Sequence, residues 1–436
     1  MGVIRRAVLI LHPFLGRAPF AARPGAALLL AGLALTLAWT SPAHGSRPKT
    51  GRWHAVDQPS PRESLTPEQQ RQLRHLESLG YLAGSTQPPA ATGVTIHDPR
   101  RSYAGFNLYV SGHAPEAILV DMEGNELHRW RCEITRAWPD FEPRPGPPNH
   151  QYWRRVRLLE DGELLAIFEG IGLIKLDKDS NLLWAYGGNA HHDLDLLPDG
   201  TIYVLGREAF INEQDAEKRP VLQDFIAVLS PDGREQRRIW IEQCFARSFY
   251  APTLQRRPAV GDAWHTNTLQ ILQGRLADQI PAFQAGNILL SHLMLDLISV
   301  VDPENETVVW TMTGMWRKQH QPVVCGDSTL VILDNLGARD GSRVIEFDPA
   351  TQRVRWYYEG TEEQPLATHD CGSVQPLPNG NFLISESNRG RALEVTRDDE
   401  VVWEFYNPHR AGDDHQFIAT LFELIRLDPR IPLDWL

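Results

Sequence analysis

Cysteine is sparse in this chain of 436 residues, with four in all, at Cys132, Cys244, Cys325 and Cys371. No two form a CxxC pair, which argues against a zinc site. Cys325 and Cys371 take similar early positions in consecutive repeats, so a disulfide between them and a pair of free thiols are both open. A basic stripe is also missing: Lys and Arg are scattered and the net charge is −12. That excludes a nucleic-acid surface and fits a solvated, acidic exterior. Beyond the N-terminal region no apolar run is long enough to cross a bilayer. A sustained 3.6-residue period is absent too, which excludes a helical solenoid.

What is present begins with an export segment. Arg5, Arg6, Arg17 and Arg23 precede the uncharged run Gly25 to Trp39, and Ala43-His44-Gly45 places small residues where a leader peptidase cuts. No charge falls between Arg23 and Arg47, enough for a membrane span. Residues 1–45 are therefore expected to be a cleaved signal peptide or a membrane anchor. Residues 46–95 read as linker around a short amphipathic helix at 66–83. Thr66-Pro67-Glu68-Gln69 supplies its N-cap, its first-turn proline and its capping-box partner.

Tryptophan is abundant, with 13 in the chain, and six of them end the same local phrase. A polar turn leads to a strand finishing in Trp130, Trp184, Trp240, Trp310, Trp356 and Trp403, at intervals of 46 to 70 residues. Each turn follows an apolar or alternating run, such as AILVD, GLIKLD or RVIEFD, so each phrase is a hairpin. A second hairpin precedes most of them, turning at Glu160-Asp161-Gly162, Pro198-Asp199-Gly200, Gly326-Asp327-Ser328 or Pro378-Asn379-Gly380. Two hairpins make a four-stranded sheet. Six such sheets over residues 96–436 predict an all-β fold, a six-bladed β-propeller. The tryptophans are expected to pack between blades.

Histidines fall at a repeated phase. His150, His191, His192, His265, His320 and His369 stand just before, or on, the first strand of a blade. First strands line a propeller's axis, so these imidazoles are expected to converge on one funnel. Three roles are open for them: metal binding, anion binding with one acting as nucleophile, and bonding to backbone at the blade tops. Few carboxylates share the phase apart from Asp193 and Asp370, so metal ranks last. His150 and His369 begin further from their strands, which favours the backbone role for them.

Several of these stretches resemble the bacterial arylsulfate sulfotransferase (ASST) family. Trp264-His265-Thr266-Asn267 resembles its HxN strand. His320 in KQHQPVV, with LVILDN ending at Asn335, resembles its QH strand and downstream DN. Gly341-Ser342-Arg343 resembles its SR segment. His191-His192-Asp193 and the stretch from SYAGFNLYV to ILVDMEGNELHRW are similar as well, so the likeness covers residues 95 to 430. The resemblance implies a periplasmic propeller that moves a sulfuryl group from an aryl sulfate to a phenol through a sulfated histidine, with no cofactor and no metal. Carried over, His320 is the nucleophile, His265 and Asn267 hold the sulfuryl oxygens, and His192 assists. Asn267, His191, Arg343 and His369 are the implied substrate contacts. One position departs: where the family carries an arginine after the HxN strand, this chain has Leu293 beside His292. Arg343, Arg389 and Arg391 are the arginines that would replace it from other blades. The family's close cysteine pair before His320 is absent. The alternative is a non-catalytic exported propeller that acts as a binding or scaffold module. Nucleic acid is not an expected partner, and membrane association would come only from the N-terminal segment.

Overall fold

The computed structural model describes residues 65–77, 79–143, 147–339 and 341–436. The expected export segment and most of the linker lie outside the described residues. Among the described residues no helix is long and apolar enough to cross a membrane.

Two hairpins per repeat produce six antiparallel sheets built on four strands each, the arrangement of a β-propeller. Blade two runs Arg155–Leu158, Leu164–Phe168, Gly172–Leu176, Leu182–Tyr186, and blade three begins with Ala190–Leu196. Blade four begins with Thr266–Ile271, blade five with His320–Cys325, and blade six with Ser373–Pro376. Blade one is closed by the other end of the chain. Its strand Phe106–Ser111 pairs with Leu421–Leu427, so the C-terminal strand becomes the innermost of the first sheet.

The tryptophans clasp neighbouring blades. Trp130 Nε1 donates to the Gly162 carbonyl of blade two at 2.9 Å, and Trp184 Nε1 donates to Pro231 of blade three at 3.2 Å. Trp356 Nε1 reaches Asp399 of blade six at 3.2 Å, and Trp403 Nε1 reaches Met122 of blade one at 3.0 Å. Four of the six outer strands thus cap a turn of the next blade, which satisfies the indole N–H, and the Trp130 and Trp403 rings are fully buried there. Apolar residues from neighbouring sheets form the core between them. Leu165, Ile167 and Leu173 of blade two pack with Ala190, Leu194 and Val204 of blade three.

Around the axis, side chains stitch one inner strand to the next. Asp193 accepts the Leu269 N–H and Asp195 the Ile271 N–H, both at 2.9 Å. Arg155 spans the axis: its guanidinium pairs with Glu423 and donates to Gln321 Oε1 and the His192 carbonyl.

The capping box forms as the sequence reads: Gln69 N–H donates to Thr66 Oγ1 at 3.2 Å and Thr66 N–H to Gln69 Oε1 at 3.0 Å. The helix, α1, spans Pro67–Glu77 and stops short of residue 83. Its Leu73 packs against Ala209 and Leu222 on the long hairpin of blade three. Residues 79–86 then form an extended strap directed inward. The Tyr81 carbonyl accepts from Tyr152 Oη at 2.6 Å, Leu82 from Thr420 Oγ1 at 2.8 Å, and Ala83 from the Thr420 N–H at 2.7 Å. Gly84–Thr86 pairs with Phe417–Ala419. These backbone partners outcompete another helical turn. All four cysteines are free thiols, so Cys325 and Cys371 are not bridged.

Candidate active site

Three adjacent inner strands open with the same irregularity. His192, His265 and Gln321 have φ of 55°, 49° and 50°. The ladder register shifts between Ala190 and Leu194, between Thr266 and Thr268, and between His320 and Val323. Left-handed non-glycine residues cost roughly 1–3 kcal/mol each and concentrate at functional sites, and bulges re-aim side chains. Here they direct imidazoles toward the axis.

The Tyr81 hydroxyl stands between two of them, 2.6 Å from His192 Nε2 and 3.0 Å from His265 Nε2. The two rings lie 4.9 Å apart, centre to centre. His265 Nδ1 is 2.5 Å from Asp262 Oδ2. Burial pushes the His265 imidazole down, but the Asp262 charge and hydrogen bond outweigh it and hold it above its ordinary 6.5. Asp262 lies at about 2: burial pushes it up, and the facing His265 more than offsets this. His192 is driven well below 6.5 by burial and by the positive charges of its neighbours. Its Nδ1 lies 2.7 Å from His191 Nδ1 and 3.3 Å from Glu169 Oε1. Glu169, His191 and His192 are close enough together to hold a cation. The two buried rings already bond to one another and, through His192, to Tyr81, while the His192 backbone N–H donates to Glu169 Oε2 at 3.0 Å.

His320 is buried in the adjacent blade, with its tautomer set by its surroundings. Asn335 Nδ2 donates to the carbonyls of Thr368 and Cys371 at 2.6 and 2.7 Å, so Asn335 Oδ1 faces His320 Nδ1 at 2.8 Å as an acceptor. Nδ1 therefore carries the proton and Nε2 the lone pair. His320 Nε2 has no hydrogen-bond partner among the described residues. Burial lowers this imidazole to about 3, and the charge of Arg154 contributes.

Arg154 precedes the first strand of blade two, at the phase the histidines occupy in blades three to five. It is 1% exposed, yet Nε and Nη2 have no partner among the described residues. Its guanidinium lies 5.3 Å from the Tyr81 ring centre and 5.7 Å from that of Phe422. A buried guanidinium without a carboxylate is costly unless an anion visits it.

The other sequence-predicted residues divide. His191 joins the cluster. Asn267 is buried beside it, but its amide donates to the Gln319 carbonyl at 2.9 Å. Arg343 is paired with Asp334 at 2.9 Å, and His369 sits on an exposed loop. The structure brings neither to the imidazoles. Arg389 and Arg391 are both paired with Glu386. His292 stays inside its blade, between Thr266 Oγ1 and Ser299 Oγ. Leu293 opens a short turn, its N–H donating to the His265 carbonyl at 3.2 Å. Sequence reasoning missed Tyr81, Arg154, Asp262 and Glu169. Arg154 was open to the phase argument, which considered only histidines.

The fold and the convergent imidazoles define a β-propeller with a histidine-rich centre. The family model of the arylsulfotransferases (ASST) matches residues 155–408, and the chain belongs to that family. No curated protein matches the chain. Among solved structures, a protein of unknown function from Bacteroides caccae is 11% identical, covering 74% of this chain and 98% of that one, with a TM-score of 0.48. Virginiamycin B lyase from Staphylococcus aureus is 10% identical, covering 74% and 86%, with a TM-score of 0.41. The WD40 propeller domain of Doa1 is 12% identical, covering 76% and 88%, with a TM-score of 0.41.

Proposed function

We propose that this protein transfers a sulfuryl group from an aryl sulfate to a phenol through a sulfated His320. The observation that carries the reading is His320 itself, a buried neutral imidazole whose Nδ1 proton is fixed on Asn335 and whose Nε2 lone pair is unengaged. In the first half-reaction Nε2 attacks sulfur. The N–S bond forms as the S–O(aryl) bond breaks, and His265 gives its Nε2 proton to the departing phenolate. Asp262 supports this by keeping His265 protonated below its raised value. In the second half-reaction the acceptor phenol returns a proton to His265, its oxygen attacks sulfur, and the imidazole leaves neutral. An imidazole is both a good nucleophile and a good leaving group, so one hard transfer becomes two easier ones.

The unpaired Arg154 guanidinium is the cation proposed for the sulfuryl oxygens, in place of the arginine whose position Leu293 holds. Fixed donors of this kind are worth about 10²–10³-fold in rate. Initial rates with a nitrophenyl sulfate and a phenol test the proposal. Parallel double-reciprocal lines are expected for the native protein, with no transfer by His320→Ala. Full activity of His320→Ala would overturn it.

A further inference from the structure

Tyr81 is a phenol, and its hydroxyl already touches the imidazole to which the proposed chemistry passes an acceptor's proton. Its hydroxyl touches both His192 Nε2 and His265 Nε2, the latter being the proposed proton carrier. Its ring stands edge-on to both imidazoles, tilted against Phe422 with centres 6.4 Å apart, and beneath the unpaired Arg154 guanidinium. This phenol does not belong to any blade: it arrives on the strap, from 111 and 184 residues away in sequence. The strap is not loosely laid. Its carbonyls at Tyr81, Leu82 and Ala83 all accept hydrogen bonds from the propeller, and Arg207 donates to Leu79. A Cβ at Gly80 would lie 2.1 Å from Asn149 Oδ1, so glycine lets the chain pass at that point.

We infer that Tyr81 is itself a sulfuryl acceptor, so that the protein forms a tyrosine O-sulfate on its own strap. The inference rests on the sulfuryl-transfer reading above. In the step, the Tyr81 Oη–sulfur bond forms as the His320 Nε2–sulfur bond breaks, and the hydroxyl proton passes to His265 Nε2, which the departing aryloxide had left neutral. No oxidant or further reactant is needed. The bond made is of the same kind as the one broken in the donor, an aryl–oxygen–sulfur ester, so the overall exchange is close to thermoneutral and reversible. A sulfated Tyr81 would also place the new anion beside Arg154, which has no carboxylate partner.

The full chain is incubated with a nitrophenyl sulfate and no added acceptor, then digested, and the Tyr81 peptide is mapped by electron-transfer fragmentation. The expected result is one sulfuryl group on the Tyr81 oxygen, absent from His320→Ala. In Tyr81→Phe the acceptor-free release of nitrophenolate shrinks and the strap peptide stays unmodified. Transfer to an added phenol with an unmodified Tyr81 peptide would overturn this inference and leave the transferase reading intact. No transfer to any acceptor would remove both.

Discussion

His320 and Arg154 make opposite demands on stability and activity. Arg154→Met removes a buried cation that no carboxylate of the described residues touches and keeps much of its volume. The melting temperature is expected to rise while the transfer rate falls about 10²–10³-fold. Calorimetry alongside initial rates checks both signs, and a loss of stability would contradict the view that this guanidinium, bonded among the described residues only to the Phe422 carbonyl, is costly to bury. Asn335→Ala frees His320 to place its proton on Nε2. The phenolate burst is expected to slow by roughly 10²–10⁴-fold, with the fold checked by circular dichroism. His265 gives the pH dependence. Its value in the folded protein is raised, so the stability it contributes is complete below about 6.5 and is lost as pH climbs through the raised value. The first half-reaction follows the same limb, since it needs His265 protonated and His320 neutral, and His320 stays neutral down to about 3. Asp262→Asn is expected to move the alkaline fall in kcat/KM for the donor to lower pH, and an unmoved limb would assign the acid elsewhere. At this scale the phase of the histidines was legible in the sequence. Tyr81 was not, because its two partners lie in the propeller, 111 and 184 residues away, and its own stretch reads as the end of a helix.

The strap depends on a small anchor. α1 touches the propeller through few apolar groups, chiefly Leu73 with Ala209 and Leu222, and through Glu77 Oε1 accepting the Ala209 N–H. Leu73→Ala is expected to cost about 2–3 kcal/mol locally. Hydrogen exchange should then accelerate at residues 79–86 while the inner strands keep their protection. Uniform acceleration across all blades would show instead that the strap and propeller unfold together. The capping box marked the start of α1 correctly, since it is a local pattern. The end of α1 was hidden because the Thr420, Tyr152 and Arg207 donors that pull the chain straight come from distant segments. The starts of the inner strands carried a similar lesson: no sequence pattern signalled the bulges that aim His192, His265 and His320.

For the whole molecule, the six tryptophan phrases expressed the architecture because each ends the outer strand of a blade, and four of the six indoles bond to the next blade. Closure was less legible, since Leu421–Leu427 lacks the tryptophan phrase and completes a sheet begun more than 300 residues earlier. Ending the chain at residue 420 removes that strand and also Phe422 and Glu423, which face Arg154 and Arg155. Such a protein is expected to lose cooperative unfolding, read by calorimetry, and a retained sharp transition would mean that closure rests elsewhere. Across these scales the propeller holds one neutral imidazole, with no partner on Nε2 among the described residues, within reach of the Arg154 charge. Rapid-quench peptide mapping during the first turnover of an aryl sulfate tests the role of that imidazole most directly. The first modified residue is expected to be His320, sulfated on Nε2, before any acceptor is labelled. Transfer to acceptor with His320 never modified would contradict it.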